Sequence, residues 1–252
     1  MTISTMSPKL RTAAAGLFWL AVWQLAAWRI NSPLFLPGPM AVFLRLTELV
    51  QTAPFWQTAL LTLCRVVLGM LWGTVLGVVL ACLACLNRWL DAILSPAVRV
   101  VRATPVASFI LLVFLWTSRD QVPVIIAALM VLPVVWGNLS RGIRETDPQL
   151  LELARAYRFS KVKTVRLIYL PSLRPYFSSA LITSMGLAWK SGVAAEVLCV
   201  PKWAIGSEIN HAKLGLEIPD LFAWTVVVVI LSLLLEWLLG RVLDGRKAGE
   251  LM

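Results

Sequence analysis

The chain has 252 residues, 59% of them hydrophobic and only 14% charged, with a mean hydropathy of +0.81. A soluble domain carries about 25% charged residues, so the composition excludes an ordinary water-soluble protein and indicates an integral membrane one. The net charge of +10 does not imply a nucleic-acid partner, because the basic residues sit in short connections between apolar runs, the positive-inside pattern of membrane proteins.

The first apolar run, about Thr12 to Trp28, is flanked by Arg11 and Arg29. Lys9 and Arg11 precede it as in a secretory signal, but the run is bulky and lacks an evident small-residue cleavage site, so it reads as an uncleaved first span. The stretch from Pro33 to Pro39 is a turn-rich break. Met40 to Val50 is mildly amphipathic and predicts a short helix on the outer surface. Pro54, Phe55 and Trp56 follow at the interface, where indoles are favoured; the chain has 12 Trp.

Span 2 runs from about Leu60 to Leu86. Gly69, Gly73 and Gly77 recur every four residues within it, a ladder of small residues that lets another helix approach closely. Cys82 and Cys85 form a C-x-x-C with no second pair or histidine nearby, and read as buried packing residues rather than a metal or redox site. Arg88, Arg99 and Arg102, opposed only by Asp91, mark a cytoplasmic connection. Span 3, about Ala103 to Ser118, begins with Pro105 and is short. After an outer turn at Arg119 to Gln121, span 4 runs from about Val122 to Leu139, with Pro123 and Pro133 as kink sites.

Residues 141–175 are a polar, basic island. Asp147 is an N-cap with Pro148 at the first helical position. Leu150, Leu151, Ala154 and Tyr157 recur at helical spacing. Ser160 caps a second predicted helix, Lys161 to Leu170, which Pro171 is expected to stop. Glu152, Leu153 and Ala154, then Arg158, Ile168, Leu170 and Pro171, resemble the EAA loop of ABC-importer permeases. That motif is Glu-Ala-Ala, three residues, Gly, nine residues, Ile, one residue, Leu-Pro. Leu153 departs from the first Ala, and Arg158 replaces the Gly, where the turn calls for positive φ that a Cβ resists by about 1–2 kcal/mol.

Further stretches resemble the nitrate/sulfonate/taurine branch of the same permeases. These are Leu36-Pro37-Gly38-Pro39, Thr62-Leu63-Cys64-Arg65-Val66 with Gly69, Arg102 with Pro105, and Ala195-Glu196. The likeness covers about residues 35–245. It implies an all-α membrane protein with the type I importer permease fold: six transmembrane helices, a core at about 58–245, and a single permease domain over 1–252. It further implies a bacterial inner-membrane location, a homodimer, separate ABC ATPase subunits and an extracytoplasmic solute-binding protein. The loop would be the coupling helix that docks on the ATPase through Glu152, Ala154, Arg155, Tyr157, Arg158, Ser160, Leu170 and Pro171. No G-x-x-x-x-G-K-[ST] phosphate loop occurs in the chain, so ATP and Mg²⁺ belong to the partner; no catalytic residue, cofactor or metal is expected here.

Span 5, about Tyr176 to Val200, contains Lys190 and Glu196. A charge within a span is costly and marks a functional candidate. Lys190, between Trp189 and Ser191, either lines the solute path and attracts an anion, or pairs with a neighbouring span. Glu196, close to the outer loop, is read as structural, although it stands with Trp189, Lys190 and Ser191 as a candidate path residue. Pro201 to Asp220 is a polar outer segment and a candidate surface for the binding protein. Its His211 is the single histidine of the chain and reads as a solvated residue. Span 6, about Leu221 to Gly240, carries Glu236 near its inner end, before Arg241, Arg246 and Lys247.

Orientation follows from charge. Of 23 Lys and Arg, only Arg29, Arg45, Arg65, Arg119, Lys202 and Lys213 fall opposite the termini, and Lys190 lies within a span. Both termini and the 141–175 loop are therefore expected in the cytoplasm. The solute implied by the resemblance and Lys190 is a small anion such as nitrate, a sulfonate or a taurine-like compound, with a vitamin-precursor-like molecule as the alternative. A rival class, the ATP-independent secondary transporter, would show paired internal repeats, and none is evident. A membrane enzyme would need clustered nucleophiles, bases or metal ligands, which the sequence lacks.

Overall fold

The computed structural model describes residues 8–32 and 34–248; Pro33 and both chain ends lie outside the described residues, as do the side chains of Lys9, Arg246 and Lys247. The described residues are helical throughout: α1 (Pro8–Ile30), α2 (Pro39–Val50), α3 (Ala53–Leu86), α4 (Arg88–Ala103), α5 (Val106–Phe114), α6 (Val122–Arg144), α7 (Pro148–Ala156), α8 (Lys161–Thr164), a π-helical turn (Val165–Tyr169), α9 (Leu170–Cys199), α10 (Ile205–Leu214) and α11 (Ile218–Ala248). Three of these, α3, α6 and α11, are long and apolar enough to cross a membrane; a fourth span arises if α4 and α5 count together. The surface fits lipid, with Leu68, Leu71, Trp72, Val75 and Val79 of α3 all exposed.

The core is the α3–α6–α9 layer. The glycine ladder of span 2 faces α6: a Cβ on Gly73 would stand 2.5 Å from the Ala128 carbonyl oxygen, and one on Gly69 2.5 Å from that of Val124. Hydrogen at these positions brings the two backbones into contact, where dispersion gains most in lipid. Cys82 is exposed and Cys85 half-buried, against the expectation that both are buried. The buried line of α3 is Gly69, Gly73, Gly77, Ala81 and Ala84, and one residue on from Ala81 turns Cys82 about 100° away from it.

Span 3, expected over 103–118, does not form a helix of that length: α5 covers only Val106–Phe114, and the connection before it is itself helical, as α4, with a bend of 103° between the two. Pro105 forces the bend by removing a helical donor and pushing Thr104 into extended backbone. Arg102 braces it, donating to the Pro133 carbonyl at 2.9 Å across Gly137, whose absent Cβ would lie 2.6 Å from the guanidinium.

Nor does Pro171 stop the second helix of the loop. The chain passes through the π-turn, where the Leu170 N–H reaches the Val165 carbonyl, into α9 without a break. Pro171 then sits in the first turn of α9, where a missing donor costs little. Pro175 and Pro133 also lie within continuous helices.

Candidate functional site

The hairpin formed by α7 and α8 is built as its sequence indicates. Asp147 accepts from the Gln149 N–H at 2.8 Å and Ser160 from the Lys163 N–H at 3.3 Å. Between the two helices, the Phe159 N–H bonds the Ala154 carbonyl at 2.8 Å and the Arg158 N–H bonds that of Arg155 at 3.0 Å. This is the Schellman closure of a helix end, which requires a left-handed residue. That residue is Arg158, with φ of +54°, so the arginine occupies the conformation that glycine would take without strain.

The hairpin presents Glu152, Arg155, Tyr157, Arg158, Ser160, Leu170 and Pro171 to solvent. Apolar groups are exposed among them: Leu153, Tyr157, Val162 and Leu170. Ala154 does not share this surface; it is 4% exposed and lies under the turn, as does Ile168 on the π-turn. A cavity of about 410 Å³ opens in the elbow, lined by Leu151, Ala154, Arg155, Arg158, Phe159 and Tyr169, among others. Behind the hairpin, Tyr176 donates to Glu145 at 2.6 Å and Arg141 donates to the same carboxylate at 2.8 Å. These two bonds, the tyrosine's first, hold Glu145 below the usual carboxylate range.

At the opposite end, Glu196 is fully buried. It accepts from the Thr62 hydroxyl at 2.9 Å and from the Gly206 N–H, at the start of α10, at 3.2 Å. Thr62 in turn accepts from the Ile205 N–H at 3.0 Å. Arg65 approaches Glu196 at 3.4 Å, pairs with Asp120 at 3.0 Å and donates to the carbonyls of Lys202 and Trp203 at 2.7 and 3.1 Å. Gly206 is required by contact: a Cβ there would stand 2.5 Å from the Val197 nitrogen. The connecting segment holds Val200 and Trp203 at positive φ, a strain that these hydrogen bonds maintain. Residues 204–207 of the outer segment, expected to be surface, are buried, whereas His211 is exposed.

The four span-5 candidates separate cleanly. Trp189 is 1% exposed and donates to the Val228 carbonyl of α11 at 3.1 Å. Ser191 is buried and bonds its own helix at Ala188. Glu196 belongs to the latch just described. Lys190 alone is exposed, on a stripe with Thr183, Leu187, Ala194 and Leu198. Sequence reasoning gave Thr62, Arg65 and Gly206 no role. It placed Glu236 near the inner end of span 6 but gave no role to this residue, whose Oε1 lies 3.3 Å from where a Gly186 Cβ would stand. The available signal for Glu236 was a lone carboxylate in an apolar run.

Comparison with known proteins agrees with this architecture. A solved structure titled as an amino acid ABC transporter with histidines superposes with a TM-score of 0.60 at 16% identity, over 75% of this chain and 90% of that one. It shares the fold. Among curated relatives, the taurine transport system permease protein TauC of Escherichia coli is 24% identical, covering 85% of this chain and 80% of its own. The bicarbonate transport system permease protein CmpB of Synechococcus elongatus is 27% identical, covering 86% and 82%. The model of the binding-protein-dependent transport system inner membrane components matches residues 73–246. A multi-pass helical membrane chain with this match belongs to that family, the permeases of ABC importers.

Proposed function

We propose that residues 1–252 form one permease domain with six spans and both termini in the cytoplasm, working as a homodimer to import a small solute when a separate ATPase binds ATP with Mg²⁺. An extracytoplasmic binding protein delivers the solute. In this reading α1, the α4–α5 pair and α9 complete the spans that length and composition alone leave uncounted.

The observation that carries the reading is the α7–α8 hairpin. It is rigid by its own hydrogen bonds, rich in cations, and exposes Tyr157, Val162 and Leu153 to solvent. Exposed apolar side chains on a self-satisfied polar hairpin suit a protein partner. Its junction with α9 gives docking forces a route into the membrane. Coupling contacts are Glu152, Arg155, Tyr157, Arg158, Leu170 and Pro171, while Ala154 and Ser160 hold the hairpin in shape. Lys190 lines the path; a cation exposed on a single subunit within a span is costly against lipid and draws an anionic group of the solute. The names of TauC and CmpB support a solute bearing an acidic group.

The test is recovery of the tagged chain from its native membrane in mild detergent, with mass spectrometry of what accompanies it. A stoichiometric ATPase is expected, and Glu152→Arg and Tyr157→Ala should each lose it or uncouple its hydrolysis from uptake. Recovery of the chain without an ATPase, with uptake driven by an ion gradient, would overturn the proposal in favour of a secondary transporter.

A further inference from the structure

Glu236 has no part in the latch or the hairpin. It projects from α11 against Gly186 of α9, its Oε1 3.3 Å from where a Cβ would be. Lys190 is four residues further along α9, one helical turn and about 6 Å of rise away, on the same side. Gly186 and Lys190 stand on either side of the middle of the 176–200 segment. Both charged residues are exposed on the single chain, and among the described residues neither enters an ion pair, with each other or with a third group. A cation and an anion thus share one face without neutralising each other, and the missing Cβ of Gly186 lets the Glu236 carboxylate lie close against α9.

A simple anion on Lys190 would leave Glu236 as an uncompensated carboxylate in a poorly solvated place, and a simple cation would do the same to Lys190. A solute carrying both charges compensates both. We infer that Lys190 and Glu236, brought to one face by the close approach of Glu236 to Gly186, form a subsite for a small zwitterion, with the acidic group against Lys190, the ammonium against Glu236 and a short carbon linker between the two. The inference rests on the reading of the chain as a solute-conducting permease and narrows its solute class.

The experiment uses the full-length chain purified together with whatever ATPase accompanies it. Radiolabelled taurine is compared with isethionate, the same sulfonate with a hydroxyl in place of the ammonium, by equilibrium binding. The wild type should bind taurine at least about tenfold more tightly than isethionate, as expected for one lost charge contact. Lys190→Met should abolish binding of both. Glu236→Gln should weaken taurine about tenfold and leave isethionate unchanged, erasing the discrimination. Lys190→Arg and Glu236→Asp, which keep the charges, should retain taurine binding and so exclude misfolding as the cause.

Equal binding of the two probes by the wild type, binding of neither, or undiminished taurine binding by Glu236→Gln would overturn the subsite. So would wild-type taurine binding by Lys190→Met/Glu236→Gln, the result expected if the two groups served only to pair with each other. Recovery of the ATPase is read separately, so failure of the subsite is not confused with failure of the transporter reading.

Discussion

The two ends of this molecule use similar residues to opposite ends. At the Glu196 end, Thr62 and Arg65 of α3 and Glu196 of α9 lie more than a hundred positions apart, are buried or nearly so, and bond mostly across the chain, to one another and to residues 202–206. At the hairpin end the residues of α7 and α8 bond near neighbours and leave their charges in solvent. A closed network linking distant segments fixes geometry. A locally satisfied one leaves a surface free to meet something else. Burial thus distinguishes a clamp from a free surface.

The sharpest break in this contrast is Arg65→Ala. It leaves the fully buried Glu196 without its cation and the Lys202 and Trp203 carbonyls without a donor, and should cost about 3–5 kcal/mol, read as a large fall in thermal stability in detergent. The equivalent truncation at the hairpin, Arg155→Ala, should leave stability within about 0.5 kcal/mol. Next comes Gly73→Val on the α3–α6 contact. Its Cβ would stand 2.5 Å from the Ala128 oxygen, and overpacking of this kind costs about 1–3 kcal/mol; a smaller effect at Gly240, which has nothing within 4 Å of a Cβ, is the control.

A gain is expected from Arg158→Gly. Relief of positive φ at the hairpin turn should raise stability by about 1 kcal/mol, seen as slower proteolysis of the loop. The smallest effect concerns pH. Because Glu145 is held below its ordinary value of 4.5, its bonds stabilise the folded form above that pH, and the contribution disappears as pH falls below 4.5 through its folded value. The stability gap between wild type and Tyr176→Phe should therefore be complete at neutral pH and close in acid, as followed by thermal melts.

Much of this was legible without coordinates because it is local. The caps at Asp147 and Ser160, the glycine ladder, the short outer helix at Met40 to Val50 and the awkward turn at Arg158 all concern residues within a few positions of one another. What escaped depended on distance or on competition between rules. Pro171 stops an isolated helix, but a π-turn ahead of it lets the chain continue, and nothing in the local pattern announces that extra residue per turn. Thr62 and Glu196 lie 134 positions apart, beyond any periodicity argument. Trp189 and Lys190 are adjacent in sequence yet point about 100° apart, so a reading that kept them together as path residues joined a packing group to an exposed one. Pro105 was noticed, but its consequence, a bend of 103°, needed the brace from Arg102 to be seen.

The π-turn at Val165–Tyr169 also sets a length scale. Because no break separates it from α9, the hairpin's second arm and the helix bearing Lys190 form one rod, of which α9 alone is about 45 Å at 1.5 Å per residue. A tilt of about 5° about the π-turn would sweep the far end of that rod by about 4 Å, a distance comparable to the size of a water molecule or a methyl group. Rotation of the hairpin arm through a small angle would therefore reach the clamp at Glu196 as a long oar's sweep follows a short stroke at the handle, with more travel and less force.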